Sequence, residues 1–311
     1  PEYSGEVEGG FDLTAFSGRL NLELTYYNKQ TRDALIQRVV APSLAGVNAR
    51  FENIGSVRNS GLEWVVNAGL FDRKFAAMDL TVTGSTNRNE VLKLGEGVSP
   101  IPTGNRNTQL NLPGYPLFGM WGRTVAFRDA NGDGLLVPSE VTFSDAAQYI
   151  GPSFPTFEMA ISPSIQLFNK KIRLNAQFDR KSGMRKLNNT LRHQCQGGQA
   201  CRGLFDRNAT LEEQAKAIAA TASVFTPFYE VGDFTRWREA SVSYQMPDRL
   251  ARSIKASRWS VILTGRNLAV WTPYGGVDPE ATVNNLDARG NEEFFSTPPL
   301  RYFTFRMNLV Y

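Results

Sequence analysis

Apolar and polar residues alternate one by one along much of this chain. In the stretch RLNLELTYY, Leu20, Leu22, Leu24 and Tyr26 share one side, and the residues between them are polar or charged. A period of two places successive side chains on opposite faces of an extended chain, so the pattern predicts β-strands with one apolar face. The same alternation recurs in segments whose apolar faces are Val7–Leu13, Leu62–Leu70, Met78–Val82, Phe157–Ile161, Ile172–Phe178, Ala240–Tyr244 and Trp259–Leu263.

The lengths of these strands and of their connections narrow the architecture. Alternation alone fits a soluble β-sandwich with apolar residues inside, and equally a membrane β-barrel with apolar residues outside. Several segments keep the pattern for roughly nine residues or more, as membrane strands require, whereas soluble strands average about five or six. Short turns at AFSGR, FDRK and FNKK also alternate with long excursions, over residues 30–52, 89–155, 183–232 and 272–298. Short turns on one side and long loops on the other are typical of an outer-membrane barrel.

This topology predicts about nine membrane-spanning strands, the first running towards the periplasm. The count requires residues 89–155 to form one extracellular excursion, so that the strand-like FGMWGRTVAF lies outside the barrel wall. Residues 183–232 form a second extracellular loop. Within it, the capping box of Thr210 and Glu213 predicts one short helix over about residues 211–222.

The last strand, RYFTFRMNLVY, ends on an aromatic residue. Its apolar side consists of Phe303, Phe305, Met307, Leu309 and Tyr311. An amphipathic edge strand of a soluble protein is one interpretation, but an exposed apolar edge promotes aggregation, and barrel closure removes the edge. Aromatic rings also suit the boundary between lipid and water.

Charge and histidine content argue against several functional classes. Lys and Arg number 34 against 30 Asp and Glu, and no basic run carries interleaved aromatic residues, so no nucleic-acid partner is predicted. The single histidine, His193, argues against a Ser-His-Asp triad and against multi-histidine metal sites. We interpret His193 as a solvated loop residue and predict no catalytic residues. The sequence contains no run of about 18 apolar residues, so no membrane-spanning helix is expected.

The two cysteines lie close together in CQGGQAC. Cys195 and Cys201 could close a small disulfide ring outside the cytosol. A zinc site would need two further ligands nearby, and only His193 is close in sequence. A disulfide is therefore the preferred interpretation.

The stretch DANGDGLLVPSE fits a twelve-residue calcium loop. Short oxygen ligands recur at alternate positions, a glycine allows the sharp turn at Gly134, and a longer Glu ends the loop. The predicted ligands are the side chains of Asp129, Asn131, Asp133 and Glu140 and the carbonyl of Leu135. The flanking segments do not have the pattern of two helices, so a helix-loop-helix sensor is not expected. An Asx- and Gly-rich turn without an ion is the alternative; if calcium binds, it stabilises the loop of residues 129–140, and no other cofactor is predicted.

Several motifs together resemble one family, the SusC/RagA-type TonB-dependent outer-membrane transporters. TYYNKQTRDAL is similar to a strand and loop start of that family, and NIGSVRNSGLEW resembles its recurring Asn-x-Gly-x-x-x-Asn-x-Gly-x-Glu pattern. RDANGDGLLVPSE resembles its acidic loop, and WREASVSYQMPDRL and GRNLAVWTPYGGVDPE resemble its late strands. The final PPLRYFTFRMNLVY is similar to its closing strand, whose apolar residues form an assembly signal. The matches follow the family's order along nearly the whole chain.

The resemblance implies an all-β, antiparallel transmembrane barrel of about 22 strands in the outer membrane of a Gram-negative type cell. It implies an N-terminal plug, energy from TonB-ExbB-ExbD, a SusD-like surface lipoprotein, and uptake of glycans or peptides. Contact with outer-membrane lipid and with the barrel assembly machinery is also implied. On this interpretation the chain is a fragment that supplies the last nine strands, without the plug and the early strands. Polar residues of the wall that would line the lumen include Asn21, Glu63, Asp79, Arg173 and Arg306.

Two other functional classes stay open. A secreted calcium-binding β-sandwich, such as an adhesin or a glycan-binding module, would pack the apolar faces together and leave the membrane in an alkaline wash. An extracellular hydrolase is disfavoured, because no pair of carboxylates has a spacing that singles it out. Aromatic residues of the long loops could stack on a sugar ring, but none is assigned as a substrate residue.

Overall fold

The computed structural model describes residues 1–39, 49–96, 98–103, 108–198, 200–283 and 291–311. One antiparallel sheet of nine strands dominates it, and strands that follow one another in this sheet are neighbours. The nine strands are β1 (Tyr3–Ala15), β2 (Leu20–Val39), β3 (Ala49–Asp72), β4 (Ala76–Lys93), β11 (Phe157–Leu167), β12 (Ile172–Ser182), β15 (Phe234–Gln245), β16 (Arg258–Trp271) and β18 (Tyr302–Val310). The predicted number of spanning strands is confirmed.

Smaller elements fill the long connections. Their strands are β5 (Ile101–Thr103), β6 (Gln109–Asn111), β7 (Gly119–Gly122), β8 (Val125–Phe127), β9 (Val141–Phe143), β10 (Gln148–Gly151), β13 (Arg185–Asn188), β14 (Tyr229–Val231) and β17 (Glu292–Glu293). One four-stranded sheet has the order β10-β7-β6-β5, one three-stranded sheet has the order β14-β13-β17, and β8 pairs with β9. The helices are α1 (Asn189–Gln196), α2 (Arg202–Phe205), α3 (Leu211–Thr221) and α4 (Asp248–Ser253). The stretch FGMWGRTVAF contributes β7 and β8 and lies outside the nine-stranded sheet.

The register of the large sheet separates its two faces. Leu22 lies opposite Leu13 on one neighbour and Val66 on the other, and Val66 lies opposite Val82. Directly opposite residues of an antiparallel pair point to the same face, so these apolar side chains form a continuous surface. Many of them are exposed, among them Leu13, Leu62, Leu263 and Phe303. We call this side the apolar face and the other side the polar face.

The main buried core lies outside the large sheet. It combines residues of β7, β13, the helices and β14, namely Met120, Leu187, Cys195, Cys201, Ala217, Ala220, Phe228 and Tyr229. The long connections therefore fold into a packed body of their own at one end of the strands. Across the parts of the chain that the structure describes, none of the helices has both the length and the apolar character needed to cross a membrane.

Helices α1 and α3 both lie within the loop of residues 183–232. The helix expected over residues 211–222 is present as α3, and Thr210 and Glu213 form its capping box. His193 was expected in a solvated loop, and this is wrong. It lies in α1, with its ring 4.7 Å from that of Phe294. The helix begins because the side chain of Asn188 accepts a hydrogen bond from the backbone N–H of Leu191, a cap that the sequence reasoning overlooked.

The loop of residues 183–232 also contains more helix than expected. One short helix was predicted there, whereas α1, which contains Cys195, and α2, which follows Cys201, both precede α3. α2 has only four residues, and a helix that short gives almost no periodic signal in a sequence.

Candidate functional site

The polar face of the large sheet carries hydrogen-bonding ladders between neighbouring strands. Thr81 donates to the side-chain oxygen of Asn67 at 2.8 Å, and Asn175 donates to the hydroxyl of Ser241 at 3.2 Å. The five wall residues expected in the lumen lie on this face, as the register shows: Asn21, Glu63, Asp79, Arg173 and Arg306. A face built from such groups can remain in contact with water or with a polar molecule.

Charges are unevenly distributed over the polar face. Acidic residues dominate on β1 to β3, where Asp12 lies directly opposite Glu23. Basic residues dominate from β12 onward, and they include Arg173, Lys181, Arg236, Arg266 and Arg306. Charges of one sign that lie close together create a local field over the surface. The polar face is therefore more acidic on β1 to β3 than on the later strands, where Lys181, Arg236 and Arg266 are paired with carboxylates.

A network of charged groups joins one end of β15 to the segment that follows β16. Arg236 is almost completely buried, and both carboxylate oxygens of Asp278 accept hydrogen bonds from its guanidinium at 2.7 Å. Arg238 donates to Asp179 on β12 and, at 2.9 and 3.0 Å, to the carboxylate of Glu280. The Arg238–Glu280 pair is bidentate, and Arg236 binds both oxygens of Asp278 through one nitrogen. Charge-assisted bonds of this kind are strong, so Asp278 and Glu280 hold the segment firmly against the sheet.

The same segment is held from a second side by Lys186 of β13. The ammonium group, which is fully buried, donates to the carbonyl oxygens of Pro279 at 2.9 Å and Ala281 at 2.6 Å. Burial lowers the pKa of Lys186 to about 8, although the nearby carboxylates of Glu293 and Asp278 oppose that shift. A buried cation that binds backbone carbonyls fixes the path of the main chain.

Two carboxylates, the buried Glu293 and the partly buried Glu230, complete the attachment. Glu293 accepts a hydrogen bond from the hydroxyl of Tyr274 at 2.9 Å, and Glu230 accepts one from the backbone N–H of Gly275 at 2.7 Å. Burial, and then the neighbouring Glu293, raise the pKa of Tyr274, so its hydroxyl stays protonated and donates. We call residues 274–281 the strap, because side chains from β13, β14, β15 and β17 hold it at almost every residue.

The predicted calcium loop forms a series of tight turns. The two carboxylate oxygens of Asp129 accept hydrogen bonds from the backbone N–H groups of Gly132 and Gly134, at 2.7 and 2.9 Å. Asp133 accepts one from the backbone N–H of Leu135 at 2.8 Å. Gly134 has a positive φ of 78°, which glycine adopts without strain. Sequence reasoning therefore placed the turn correctly at this glycine.

The last predicted ligand of that loop turns back to its start. The carboxylate of Glu140 accepts hydrogen bonds from the backbone N–H groups of Ala130 at 2.9 Å and Val137 at 3.1 Å. Within the described residues, no group of three or more His, Cys, Asp or Glu side chains has the spacing of a metal site. Asn131 and the carbonyl of Leu135 lie in the same turns, and calcium binding by the loop stays a prediction.

A buried glutamine attaches this loop to helix α3. The side chain of Gln214 accepts from the backbone N–H of Leu136 at 2.7 Å and donates to the carbonyl of Gly134 at 2.9 Å. It also donates to the carbonyl of Ala209, just before the helix. The loop of residues 129–140 and the helix of the second excursion therefore form one packed unit.

Cys195 and Cys201 form a disulfide in the structure, with Cα atoms 4.6 Å apart. Both are buried, and the bond joins the end of α1 to the start of α2. The predicted assembly signal occupies β18 and the residue that follows it. Its apolar residues Phe303, Phe305, Met307 and Leu309 lie opposite residues of the apolar face of β16, and the role of these residues and Tyr311 in assembly stays a prediction.

Comparison with known proteins identifies this architecture. The family model described as "TonB dependent receptor-like, beta-barrel" matches residues 1–268. The chain belongs to that family. It is therefore a receptor β-barrel chain of the outer membrane, in which the apolar face contacts lipid, the polar face lines the lumen and the long connections lie outside the cell.

Several individual proteins resemble this receptor chain. TonB-dependent receptor P3 of Formosa agariphila is 25% identical over the whole chain, which covers 34% of that relative. TonB-dependent receptor SusC of Bacteroides thetaiotaomicron is 25% identical over 90% of the chain, which covers 29% of SusC. A solved structure titled as the RagAB peptide transporter matches 99% of the chain with a TM-score of 0.79 and 21% identity, over 35% of that chain.

These comparisons confirm the predicted resemblance to SusC/RagA-type barrels, and the chain spans about a third of the length of the relatives that it matches. The named relatives are receptors and transporters, and none of them is named as an enzyme.

Sequence reasoning missed the strap and its charged anchors. A signal was present, because Arg236 and Arg238 are two residues apart, and so are Asp278 and Glu280 in the stretch VDPE. Matching spacings allow two guanidinium groups to meet two carboxylates side by side. No comparable sequence pattern marks Lys186 or Glu293 as an anchor of the strap. Single charged residues in long loops are usually solvated.

Proposed function

We propose that the protein containing this chain is a TonB-dependent importer of nutrients, taking up glycans or peptides across the outer membrane. The observation that carries the proposal is the match of residues 1–268 to the receptor barrel family. A polar lumen face and a packed extracellular body support it, because an importer needs a wall that water and polar substrates can contact. The similarity to the solved RagAB peptide transporter supports peptides as one of these substrate classes.

The proposed partners are those that an importer of this type requires. Energy comes from TonB-ExbB-ExbD through parts of the protein outside this chain, and a SusD-like surface lipoprotein captures substrate above the barrel. The similarity to SusC and to RagAB favours this partnership. The chain itself has no catalytic role in the proposal, consistent with relatives named as receptors and transporters.

Calcium binding by the loop of residues 129–140 is part of the proposal. The twelve-residue spacing supports it, and so does the position of the loop on α3, where an ion would stiffen the extracellular body. The ion would act on loop stability and not as a switch.

Uptake by cells tests the proposed function. The full-length protein is produced in a strain that lacks its own copy, and uptake of labelled oligosaccharides and labelled peptides is compared with and without TonB. We expect uptake of one class to require both the protein and TonB, and a surface lipoprotein to co-purify in detergent. Equal uptake in the absence of TonB would contradict energised import, and absence of the lipoprotein would contradict the partnership.

A further inference from the structure

A cavity of about 850 Å³ lies within the extracellular body. Strands β8 and β14, helices α2 and α3, the disulfide and the start of the strap surround it. Its size falls within the roughly 300–1,000 Å³ range of ligand pockets. Phe127, Arg202, Glu212 and Val231 of its lining are exposed, so the cavity is accessible from solvent.

One wall of the cavity is strand β8, and some of its main-chain groups point away from its partner strand, β9. β8 is bonded to β9 through alternate residues, as shown by the bonds from Ser144 N–H to the Thr124 carbonyl and from Arg128 N–H to the Glu140 carbonyl. In an antiparallel pair, the residues that lie between two hydrogen-bonded residues direct their N–H and C=O groups away from the partner strand. On β8 these residues include Val125 and Phe127, and both line the cavity.

A second wall of the cavity, strand β14, has the same property. The backbone N–H of Gly232 bonds to the carbonyl of Met184, so Val231, which lies opposite Arg185, directs its main-chain groups away from β13. β14 is the edge of its three-stranded sheet, and Tyr229 and Val231 line the cavity. Two strand edges therefore border one cavity, and an unpaired strand edge is a template for a further extended chain.

The side chains around the cavity carry charges of both signs. Arg202 and Lys216 are basic, and Glu212, Glu213 and Glu230 are acidic. The pair of Lys216 and Glu212, at 3.1 Å, is partly exposed, and such pairs contribute little energy and exchange partners easily.

Aromatic platforms for a sugar are scarce in the same lining. Tyr229 is 6% exposed, and its hydroxyl donates to backbone carbonyls of Thr108 and Trp121. Phe127 is the other aromatic residue of the lining. A sugar ring therefore finds little aromatic surface to stack on, whereas an extended peptide finds main-chain partners and charges of both signs.

We propose that this cavity binds an extended peptide that carries charges of both signs, with its main chain hydrogen-bonded to the edges of β8 and β14. The inference rests on the proposed import function and names its substrate class. Alternate residues of a bound strand point to opposite sides, so every second side chain would meet the charged lining near Arg202, Lys216 and Glu212. Binding then depends on the main chain of the ligand and tolerates many sequences.

Binding to the purified full-length protein in detergent tests the proposal with three probes. The first is an acetylated and amidated hexapeptide that contains Lys, Glu, Val and Thr. The second is the same peptide with alternate main-chain nitrogens methylated, which removes donors and keeps the side chains. The third is a neutral linear hexasaccharide. We expect the first peptide to bind, the methylated peptide to bind at least about tenfold more weakly, and the hexasaccharide not to compete.

Two variants and a control locate the site. Val125→Trp fills the cavity, and Val231→Pro removes an N–H group that the β13 ladder does not use, so both should weaken peptide binding by about tenfold or more. Leu250→Trp adds similar bulk at an exposed position on α4, outside the cavity, and should leave binding unchanged. Because the two variants act on different strands, a folding defect in one leaves the other as a test.

The inference and the import function fail in different ways. Equal binding of the methylated and unmethylated peptides, or unchanged binding by Val125→Trp and Val231→Pro, would overturn the peptide site. Competition by the hexasaccharide that Val125→Trp abolishes would assign the cavity to glycans and would also overturn the inference. TonB-dependent uptake of oligosaccharides would in either case leave the proposed function intact.

Discussion

Arg236 shows how much a single residue contributes to the extracellular body. Its guanidinium and the carboxylate of Asp278 are both nearly inaccessible to water. Replacing one partner of a buried ion pair leaves the other charge without compensation, which costs about 3–5 kcal/mol.

We therefore expect Arg236→Ala to release the strap. Hydrogen exchange of residues 274–281 should accelerate by a factor on the order of 100, measured by mass spectrometry on the purified protein. Arg252→Ala, which removes an exposed ion pair with Asp248 at 4.0 Å, is the matched control and should change nothing. Unchanged exchange in Arg236→Ala would show that the strap is held without this pair.

Lys186 gives the strap a dependence on pH. Burial lowers its pKa from the model-compound value of 10.5 to about 8, so between pH 8 and 10 the released segment binds a proton that the folded segment lacks. Stability rises with pH wherever the unfolded state binds more protons, so protection of the strap should increase over this window. The measurement is hydrogen exchange corrected for the intrinsic rate at each pH.

Lys186→Met is the control for this effect. It should abolish the increase between pH 8 and 10, and it should weaken the strap at every pH because two carbonyl oxygens lose their donor. An increase that persists in Lys186→Met would assign the pH dependence to another group.

Individual site residues were only partly predictable from the sequence. The glycine turn at Gly134 and the capping box at Thr210 depend on neighbours a few positions away, and short patterns reveal such neighbours. Lys186 and Pro279 lie 93 positions apart in the chain, and only the folded topology brings them together.

At the scale of secondary-structure elements, the contact between the loop of residues 129–140 and α3 depends on Gln214. Gln214→Leu keeps a similar volume but removes the hydrogen bonds to the N–H of Leu136 and to the carbonyl of Gly134, which contribute about 0.5–1.5 kcal/mol each. We expect faster proteolytic cleavage within residues 129–140. Gln148→Leu, at an exposed position on β10, should be cleaved like the unaltered protein. Equal cleavage of both variants would refute the role of the contact.

The same loop tests the calcium proposal. Isothermal titration of the full-length protein with calcium should give a binding signal that Asp133→Asn weakens at least about tenfold, or about 1.4 kcal/mol. Asp145→Asn removes an exposed carboxylate outside the loop and should bind calcium as before. Absence of any signal in the unaltered protein would leave the loop as an Asx- and Gly-rich turn.

Strands were easier to predict than the short helices. A strand of the large sheet repeats its alternation over nine or more residues, as β18 does from Tyr302 to Val310. α1 depends on a single capping side chain, and α2 is four residues long, so local signals were too weak to separate them from loop. Their positions follow from the disulfide and the packed core around it.

For the whole molecule, the orientation of the large sheet in the membrane can be tested by a pair of neighbouring substitutions. Leu263 lies on the lipid-facing side of β16 and Thr264 on the luminal side. An arginine at mid-membrane on the lipid side costs about 2–4 kcal/mol, so Leu263→Arg should reduce the heat-modifiable, assembled fraction of the full-length protein. Thr264→Arg should assemble normally. If Thr264→Arg fails to assemble and Leu263→Arg assembles normally, the lipid-facing and luminal faces are interchanged.

The overall architecture was predictable because closure and lipid contact impose one repeating pattern on every strand. The alternation of Leu20 to Tyr26 is enough to predict a face, and the alternation of short turns and long excursions predicts the topology. The arrangement of the extracellular body was not predictable, since β13 and β17 pair in parallel across more than 100 positions.

The nine strands differ greatly in length. β2 and β3 have 20 and 24 residues, whereas β11 and β12 have 11 each. At about 3.3 Å per residue, β3 extends roughly 80 Å along its own axis, far more than an apolar band about 25 Å tall requires. β2 and β3 therefore project well beyond the apolar band, whereas β11 and β12 end closer to it. An antibody raised against the far ends of β2 and β3 should therefore bind to intact cells.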